Sequence, residues 1–557
     1  MILGIDVGGT HTDAALIEDF QISRKAKVLT NSSNIMGSLL DVTNSIFRDK
    51  STDRLRRIVL STTISTNAIV QNRIRRVGMI IANGPGLPPS LLPRQEDACF
   101  LSGYVNHRGI EVATVEDDEI SAAADVFTKA GIEHIGVVGK FSTRNPVQEL
   151  KIKNAIQSRF KHVSVGHRLS GHLNFRRRIA TTYLNAAIAS LHRRFVQAVL
   201  QFNQEQGITA PVYILKADGG TIDIERSVEY PVQTILSGPA ASIMGVLSLG
   251  NCKQDAIALD IGGTTTDIAL LADGVPLLEG QGVTIEGQRT LIRGLRTRSI
   301  GVGGDSHVKW ENGGLVIGPE RDGPAAALGG LFATPTDAMI LMNLTDLGER
   351  QRSVAAVSPL AAHMGCSLEE AARRIFAATC EKIVHHVRQF IDEVNNQPVY
   401  TIHEMLEGRK LQPKELYLVG GPAEVMATPL ADLLSCVPLI PRHAEVANAI
   451  GAALARTTAE ITLLADTERR ILTIGEEGAV ITIPQRFTKS DVIRIGQEKL
   501  REKAISMGAK EEDLQVEVVE EQEFNMIKEY TTVGKNIRVK LQIKPGLISG
   551  YEKECEI

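Results

Sequence analysis

Residues 4–16 read GIDVGGTHTDAAL and residues 258–270 read ALDIGGTTTDIAL. At an offset of 254 residues, eight of the 13 positions are identical, and apolar residues match at two more. Both copies share one form: an apolar run, Asp, an apolar residue, Gly-Gly-Thr-x-Thr-Asp, and a second apolar run. Gly-Gly between two short apolar runs marks a β-hairpin. The chain therefore reads as two halves, each with a hairpin that carries an aspartate where the strand enters the turn.

The residue types at the hairpin tips select a chemistry. Glycines tolerate positive φ and lack Cβ, so backbone N–H groups can approach a bulky anion. Successive N–H groups in such a turn form an anion-binding nest. Gly8, Gly9, Gly262 and Gly263 are expected to cradle phosphate, with the hydroxyls of Thr10 and Thr264 as further donors. A carboxylate beside phosphates repels them unless a divalent cation lies between. Asp6 and Asp260 are accordingly read as catalytic carboxylates that organise Mg²⁺, and the two hairpins as a clamp on a magnesium polyphosphate. Asp13 and Asp267 are further catalytic candidates that align water; the alternative for them is a hairpin-stabilising Asx bond. Rival phosphate motifs are missing. Gly139-Lys140 is followed by Phe141, so there is no P-loop, and no strand leads into GxGxxG with an acid beyond it.

Composition narrows the field. The 557 residues suffice for three or four domain-sized units, and 43% hydrophobic with 23% charged residues is ordinary for a globular protein. A net charge of −4 and only 4% aromatics give no basis for nucleic-acid or membrane-surface binding. No apolar stretch approaches the length of a membrane span. The six cysteines are scattered without a CxxC pair and no signal peptide is seen, so a reduced, cytoplasmic chain is expected. The histidines show no HExxH or HxH spacing.

Further glycine-rich punctuation follows in a definite order. YILKADGGT (213–221) ends a strand in a turn, VQTILSGPAASIMGV (232–246) opens a small-residue helix, ELYLVGGPAEV (415–425) is strand, Gly-Gly-Pro and helix, and EVANAIGAALA (445–455) is a second small-residue helix. This order resembles the superfamily of actin, the sugar kinases and the heat-shock chaperone ATPases. The resemblance implies a two-lobed α/β fold, actin-like (ribonuclease H-like), with ATP and Mg²⁺ between the lobes. It also implies that Gly420 and Gly421 meet the nucleoside and that segments 237–246 and 445–455 link the lobes.

Within that superfamily the chain resembles the ATP-binding subunit of the hydantoinase A/5-oxoprolinase family. The matching stretches are GIDVGGTHTD (4–13), STTISTNAIVQNR (61–73), RRRIATTYLNAAI (176–188), ADGGTIDIERSVEYPVQTILSGPAAS (217–242), LDIGGTTTD (259–267), SIGVGGDSHVKWENGGLVIGP (299–319) and PTDA (335–338). The sequence departs from the family pattern at His11, at Leu60-Ser61, at Asp305 in the glycine loop and through ERDGPAAALG (320–329). The resemblance implies ATP-driven phosphoryl transfer to a carbonyl, a cyclic amide, lactam or ketone, as in an ATP-dependent hydrolase. It also implies a partner subunit of the hydantoinase B type. Thr62, Thr63 and Asn67 are expected on the acceptor side; a plain helix N-cap is the alternative. Two other classes stay open: a small-molecule kinase, and an ATPase that remodels a partner enzyme.

The expected division is a first lobe with an inserted α/β region at 1–236, a second lobe at 237–465 and a small α+β appendage at 466–557. Helices are read at 115–131, from Pro146, and at 366–395 behind Ser367, with Glu370 three residues on. Arg176–Arg178 reads as a solvated face. In the appendage, strands at 470–483, 513–519 and 536–543 accompany a helix at 490–507.

Overall fold

The computed structural model describes residues 1–9, 11–31, 35–93, 96–396 and 410–551. Two six-stranded sheets share one plan. The first runs in the order Thr221–Asp223, Val212–Leu215, Arg57–Thr62, Ile2–Val7, His11–Glu18, Gln21–Leu29. The second runs Val275–Pro276, Thr266–Ala272, Ala256–Ile261, Glu415–Val419, Val437–Leu439, with Thr297–Ile300 also paired to Thr266–Ala272. In each, the central strand is antiparallel to its hairpin partner and parallel to the next strand inward. The registers coincide: Asp6 faces Asp13, and Asp260 faces Asp267. The central strands are covered on both faces, which is why they read as continuous apolar runs rather than as alternation.

Two small-residue helices, Ser237–Leu249 and Ala447–Leu454, cross between the sheets. A Cβ on Gly451 would lie 2.1 Å from Gly245 N and 2.4 Å from Ala241 O, and one on Gly4 would lie 1.9 Å from Ala449 O. Only glycine permits this approach of backbone to backbone. The crossing shares a core with both sheets, through Val59, Tyr213 and Leu215 on one side and Ala258, Leu271 and Tyr417 on the other.

The inserted region is a parallel sheet in the order His162–Val165, His134–Gly139, Val77–Ala82, Ala98–Phe100. The helix Phe175–Glu205 runs against it, with its Ala186 carbonyl 3.0 Å from His134 Nδ1. Arg178 is fully buried and donates to the carbonyls of His172, Gly139 and Lys140, so this member of the arginine cluster is a structural pin and not part of a solvated face. Ser367 caps Leu368–Asn395 by accepting from Glu370 N–H, while the Glu370 carboxylate turns to Arg373 and Arg374, leaving the capping box unclosed.

The C-terminal sheet is antiparallel throughout, in the order Ala479–Thr482, Ile471–Ile474, Glu460–Asp466, Thr531–Ile543, Val516–Lys528. It takes its middle strand from ahead of the expected boundary at 466. Its helix Lys489–Ser506 opens on a Thr488/Asp491 capping box. Ile461, Leu463, Ile537 and Leu541 pack in one core with Leu3, Ile5 and Leu60 of the first sheet. Among the described residues no helix is long and apolar enough to cross a membrane, and the five described cysteines are free.

Candidate functional site

The two hairpins deliver their aspartates to one place. Asn448, near the start of the second linking helix, sets its amide Nδ2 3.4 Å from Asp6 Oδ2 and 3.3 Å from Asp260 Oδ2. Ser242, on the first linking helix, donates to Asp260 Oδ2 at 2.5 Å. Each linking helix thus contributes one polar side chain to the carboxylates, and its otherwise small apolar residues let it come that close.

Like charges crowd here. Burial pushes the Asp6 carboxyl up to about 7; the charges of Asp13 and Asp260 add to the rise, and hydrogen bonds from Ser61 and Asn448 oppose it. Burial, then the Asp260 charge, pushes Asp267 to about 7 as well. Asp13 is raised by burial and held back by Lys27, whose Nζ lies 3.1 Å from Asp13 Oδ2. Among the described residues, Oδ1 of Asp6, of Asp13 and of Asp267 has no hydrogen-bond partner. Neither Asp13 nor Asp267 makes the Asx bond considered from the sequence. A set of converging carboxylate oxygens, several of them unpartnered and short of protein cations, fits a hard divalent cation such as Mg²⁺.

The turns themselves differ from expectation in two respects. Gly8 N–H donates to His11 O at 3.0 Å and Gly262 N–H to Thr265 O at 2.9 Å, so these two groups close the turns and are not available to an anion. None of Gly8, Gly9, Gly262 and Gly263 has positive φ. At Gly8 and Gly263 space is short: a Cβ would fall 2.9 Å from His11 O at Gly8 and 2.5 Å from Asp305 Oδ2 at Gly263, whereas one on Gly9 would meet only the Asn67 amide at 4.0 Å. The N–H groups of Gly9, Gly263 and Thr264, and the Thr264 hydroxyl, have no acceptor among the described residues. These are the donors open to phosphate. Thr10 lies outside the described residues.

The second tip is braced by the glycine loop, with Gly304 N–H donating to Gly262 O and Asp305 N–H to Gly263 O. Asp305 pairs with Arg321 at 3.1 Å. Thr336 fastens this loop through its hydroxyl to Gly304 O, and Asp337 caps its own helix and holds Ala326 and Ala327 N–H, so PTDA serves architecture. Gly420 has φ +96°, and a Cβ there would lie 2.4 Å from Ile261 O and 2.8 Å from Asp260 Oδ1; a Cβ on Gly421 meets nothing within 4 Å. The Gly-Gly-Pro turn therefore borders the second aspartate, with Gly421 facing open space.

On the first side, Thr62 is buried and engaged: its hydroxyl accepts from Ile64 N–H and its carbonyl from Ser237 Oγ. Thr63 occupies the N-cap position of Ile64–Val70 without capping it; its hydroxyl donates to Val7 O and accepts from Asn67 Nδ2. Asn67 is exposed, and its amide is 4.0 Å from where a Gly9 Cβ would stand. Asn448 and Ser242 were not singled out from the sequence, and Ser61 only as a departure from the family pattern; Asn448 carried a signal as the sole polar residue in ANAIGAAL. His307, Glu320 and Asp322 also offer ligand atoms within 4.8 Å of one another, at an exposed hairpin base where Lys309 already holds Glu320.

Doubled hairpin sheets joined by two crossing helices, with paired aspartates between them, define the two-lobed actin-like class. The sequence matches the hydantoinase/oxoprolinase family over residues 178–461 and that family's N-terminal region over residues 2–160. The chain belongs to the hydantoinase/oxoprolinase family. It is 24% identical over 499 residues to caprolactamase subunit alpha of Pseudomonas jessenii, covering 81% of this chain and 69% of that one. It is 23% identical over 396 residues to the 5-oxoprolinase of Saccharomyces cerevisiae, covering 67% of this chain and 30% of the relative. An uncharacterised Methanocaldococcus jannaschii protein, MJ0964, is 23% identical over 305 residues, 50% of this chain and 45% of its own length. The chain thus spans under half of two of these three relatives. Among solved structures, nucleotide-free acetone carboxylase superposes with a TM-score of 0.74 at 17% identity, covering 99% of this chain and 88% of that one. The ATP-dependent caprolactamase of Pseudomonas jessenii gives 0.70 at 19% identity, covering 97% and 87%. These likenesses establish the fold.

Proposed function

We propose that the chain is the ATP-binding component of an enzyme that activates a carbonyl by phosphoryl transfer, with a cyclic amide as the first substrate class and hydrolysis as the outcome. The observation that carries this reading is the single Asn448 amide shared by Asp6 and Asp260, which sets the two hairpins against one another. The names caprolactamase, 5-oxoprolinase and acetone carboxylase have a carbonyl compound in common, and the first two name lactams.

In this reading the polyphosphate lies between the tips and takes hydrogen bonds from the N–H groups of Gly9, Gly263 and Thr264 and from the hydroxyls of Thr264 and Thr10. Asp6 and Asp260, with Asp13 and Asp267 beside them, hold Mg²⁺, which when bound neutralises charge on the phosphate oxygens. Gly420 and Gly421 border the nucleoside. Thr63 and Asn67 orient the acceptor carbonyl at the first tip, where positioning supplies most of what phosphoryl transfer needs. A hydantoinase B-type partner then completes the reaction.

The test is phosphate release from ATP by the full chain with 5-oxoproline, caprolactam, hydantoin or acetone, with and without a B-type subunit. Stimulation by one of these compounds supports the reading. A stable phosphorylated product released without a partner identifies a kinase instead. Turnover raised by a protein and indifferent to every carbonyl compound identifies a remodelling ATPase.

A further inference from the structure

A cavity of about 260 Å³ opens between the inserted sheet and the helix Phe175–Glu205, and none of the hairpin-tip residues lines it. Four cations surround it, Lys153, Lys161, Arg168 and Arg193, against one carboxylate, Glu229. The opposite charges do not balance locally. Lys161 is drawn to Glu133 at 2.7 Å, and Glu229, itself exposed, reaches Arg168 only at 3.5 Å. Among the described residues neither Lys153 nor Arg193 has an ion-pair partner; Arg193 makes a long 3.5 Å contact to the His162 ring.

The crowding bears on how these groups are charged. Burial and then the Arg168 charge push the Lys153 ammonium down. Burial, with His134, Arg193 and Lys153 adding to it, holds His162 down at about 4, so this imidazole stays neutral beside the cations. Tyr230 lines the same cavity, and its hydroxyl, held protonated by burial, has no partner among the described residues. Phe160, Val163 and Val165 supply an apolar wall. Glu229 acts on both Arg168 and Lys153, and partly buried like charges that outnumber their counter-ions are costly unless something anionic answers them. The cavity is below the size range of drug-like ligands, so its occupant is small.

We propose that this cavity binds a small organic anion, a carboxylate or a phosphate on a short apolar body, with Lys153 and Arg193 as its charge partners and Tyr230 as a neutral donor. The site is separate from the hairpin cleft, and the inference does not depend on what that cleft does.

Isothermal titration of the full chain without divalent metal tests it, using benzoate, phenyl phosphate and, as an uncharged control of the same body, benzyl alcohol. Benzoate or phenyl phosphate should bind and benzyl alcohol should not, and the tighter of the two anions identifies the head group. Lys153→Gln and Arg193→Gln should each weaken that anion at least about tenfold, as expected for loss of a charged hydrogen bond. Should Arg193→Gln fail to fold, Lys153→Glu on the half-exposed helix surface reverses charge at the same place and should abolish binding. Failure of both anions to bind at millimolar concentration overturns the proposal. So does equal binding of benzyl alcohol, or anion binding that survives in both variants.

Discussion

Asp6 stands under two opposed influences. Its strand fixes it against Asp13 and its lobe against Asp260, yet its carboxylate must be charged to hold a cation. Asp6→Asn and Asp260→Asn keep size and hydrogen-bonding reach and remove only charge. Each should cut Mg²⁺-dependent ATP turnover by on the order of 10², about 3 kcal/mol of lost electrostatic stabilisation. Metal-free nucleotide binding should hold or tighten, and wild-type turnover in either variant would remove that residue from the proposed site. The raised carboxyls also give the proposed metal binding a readout that does not need turnover. A carboxyl raised from an ordinary 3.8 to about 7, as for Asp6 and Asp267, stabilises the folded chain below the ordinary value and loses that contribution as pH rises through about 7. A cation bound there restores it. The rise in thermal midpoint on adding Mg²⁺ should therefore be small at pH 6 and larger at pH 8 by calorimetry; an equal rise at both would place the metal elsewhere. These aspartates are legible in the sequence because Gly-Gly-Thr-x-Thr-Asp is local and occurs twice. Asn448 is not, because its partners lie 442 and 188 residues away along the chain.

Elements transmit what residues require. The crossing of Ser237–Leu249 with Ala447–Leu454 is glycine-mediated, and a methyl at Gly451 would meet backbone atoms that cannot rotate away. Gly451→Ala should cost about 3 kcal/mol or more, at the upper end of overpacking effects, read by chemical denaturation. Gly421→Val is the contrast. A Cβ there meets nothing within 4 Å, so folding should be near wild type while nucleotide affinity falls; unchanged affinity would move the nucleoside away from this turn. The sequence shows these helices as runs of small residues, since close packing leaves that mark, but not which backbone they meet. The histidines of the inserted region and its long helix were illegible for the same reason. His162, His172 and His192 are each held at about 4, first of all by burial. They stay neutral in the folded chain while the unfolded chain takes up protons below an ordinary value of 6.5. The histidine contribution to stability should thus fall as pH drops from about 6.5 towards 4, opposed by the contribution that Asp6 and Asp267 gain over the same range. Replacing His192, which is buried against Ser227, with Gln should flatten that fall; an unchanged slope would mean that other groups set it.

At the scale of the whole molecule, alternation in the C-terminal strands reveals which face is covered but not what covers it. The answer is the first lobe: Leu463, Ile537 and Leu541 share a core with Leu3, Ile5 and Leu60. That core adjoins the helix crossing through the same first sheet, and the crossing in turn packs on the second sheet. Three units that look separable along the chain are therefore joined by continuous apolar packing. Trp310 is the only tryptophan and sits in the hairpin Val308–Glu311 to Gly314–Ile317 of the second half, so its fluorescence reports that half alone. Leu541 is fully buried at the far end of the chain, and Leu541→Ala should cost about 3 kcal/mol by emptying part of the shared core. If the packing is continuous in energy as well as in space, the denaturation midpoint should move equally by far-UV circular dichroism and by Trp310 fluorescence, as one cooperative unit requires. A fluorescence transition that stays put while the dichroism transition shifts would show that the second half unfolds independently, and that the linking helices join the lobes as a hinge without joining their stabilities.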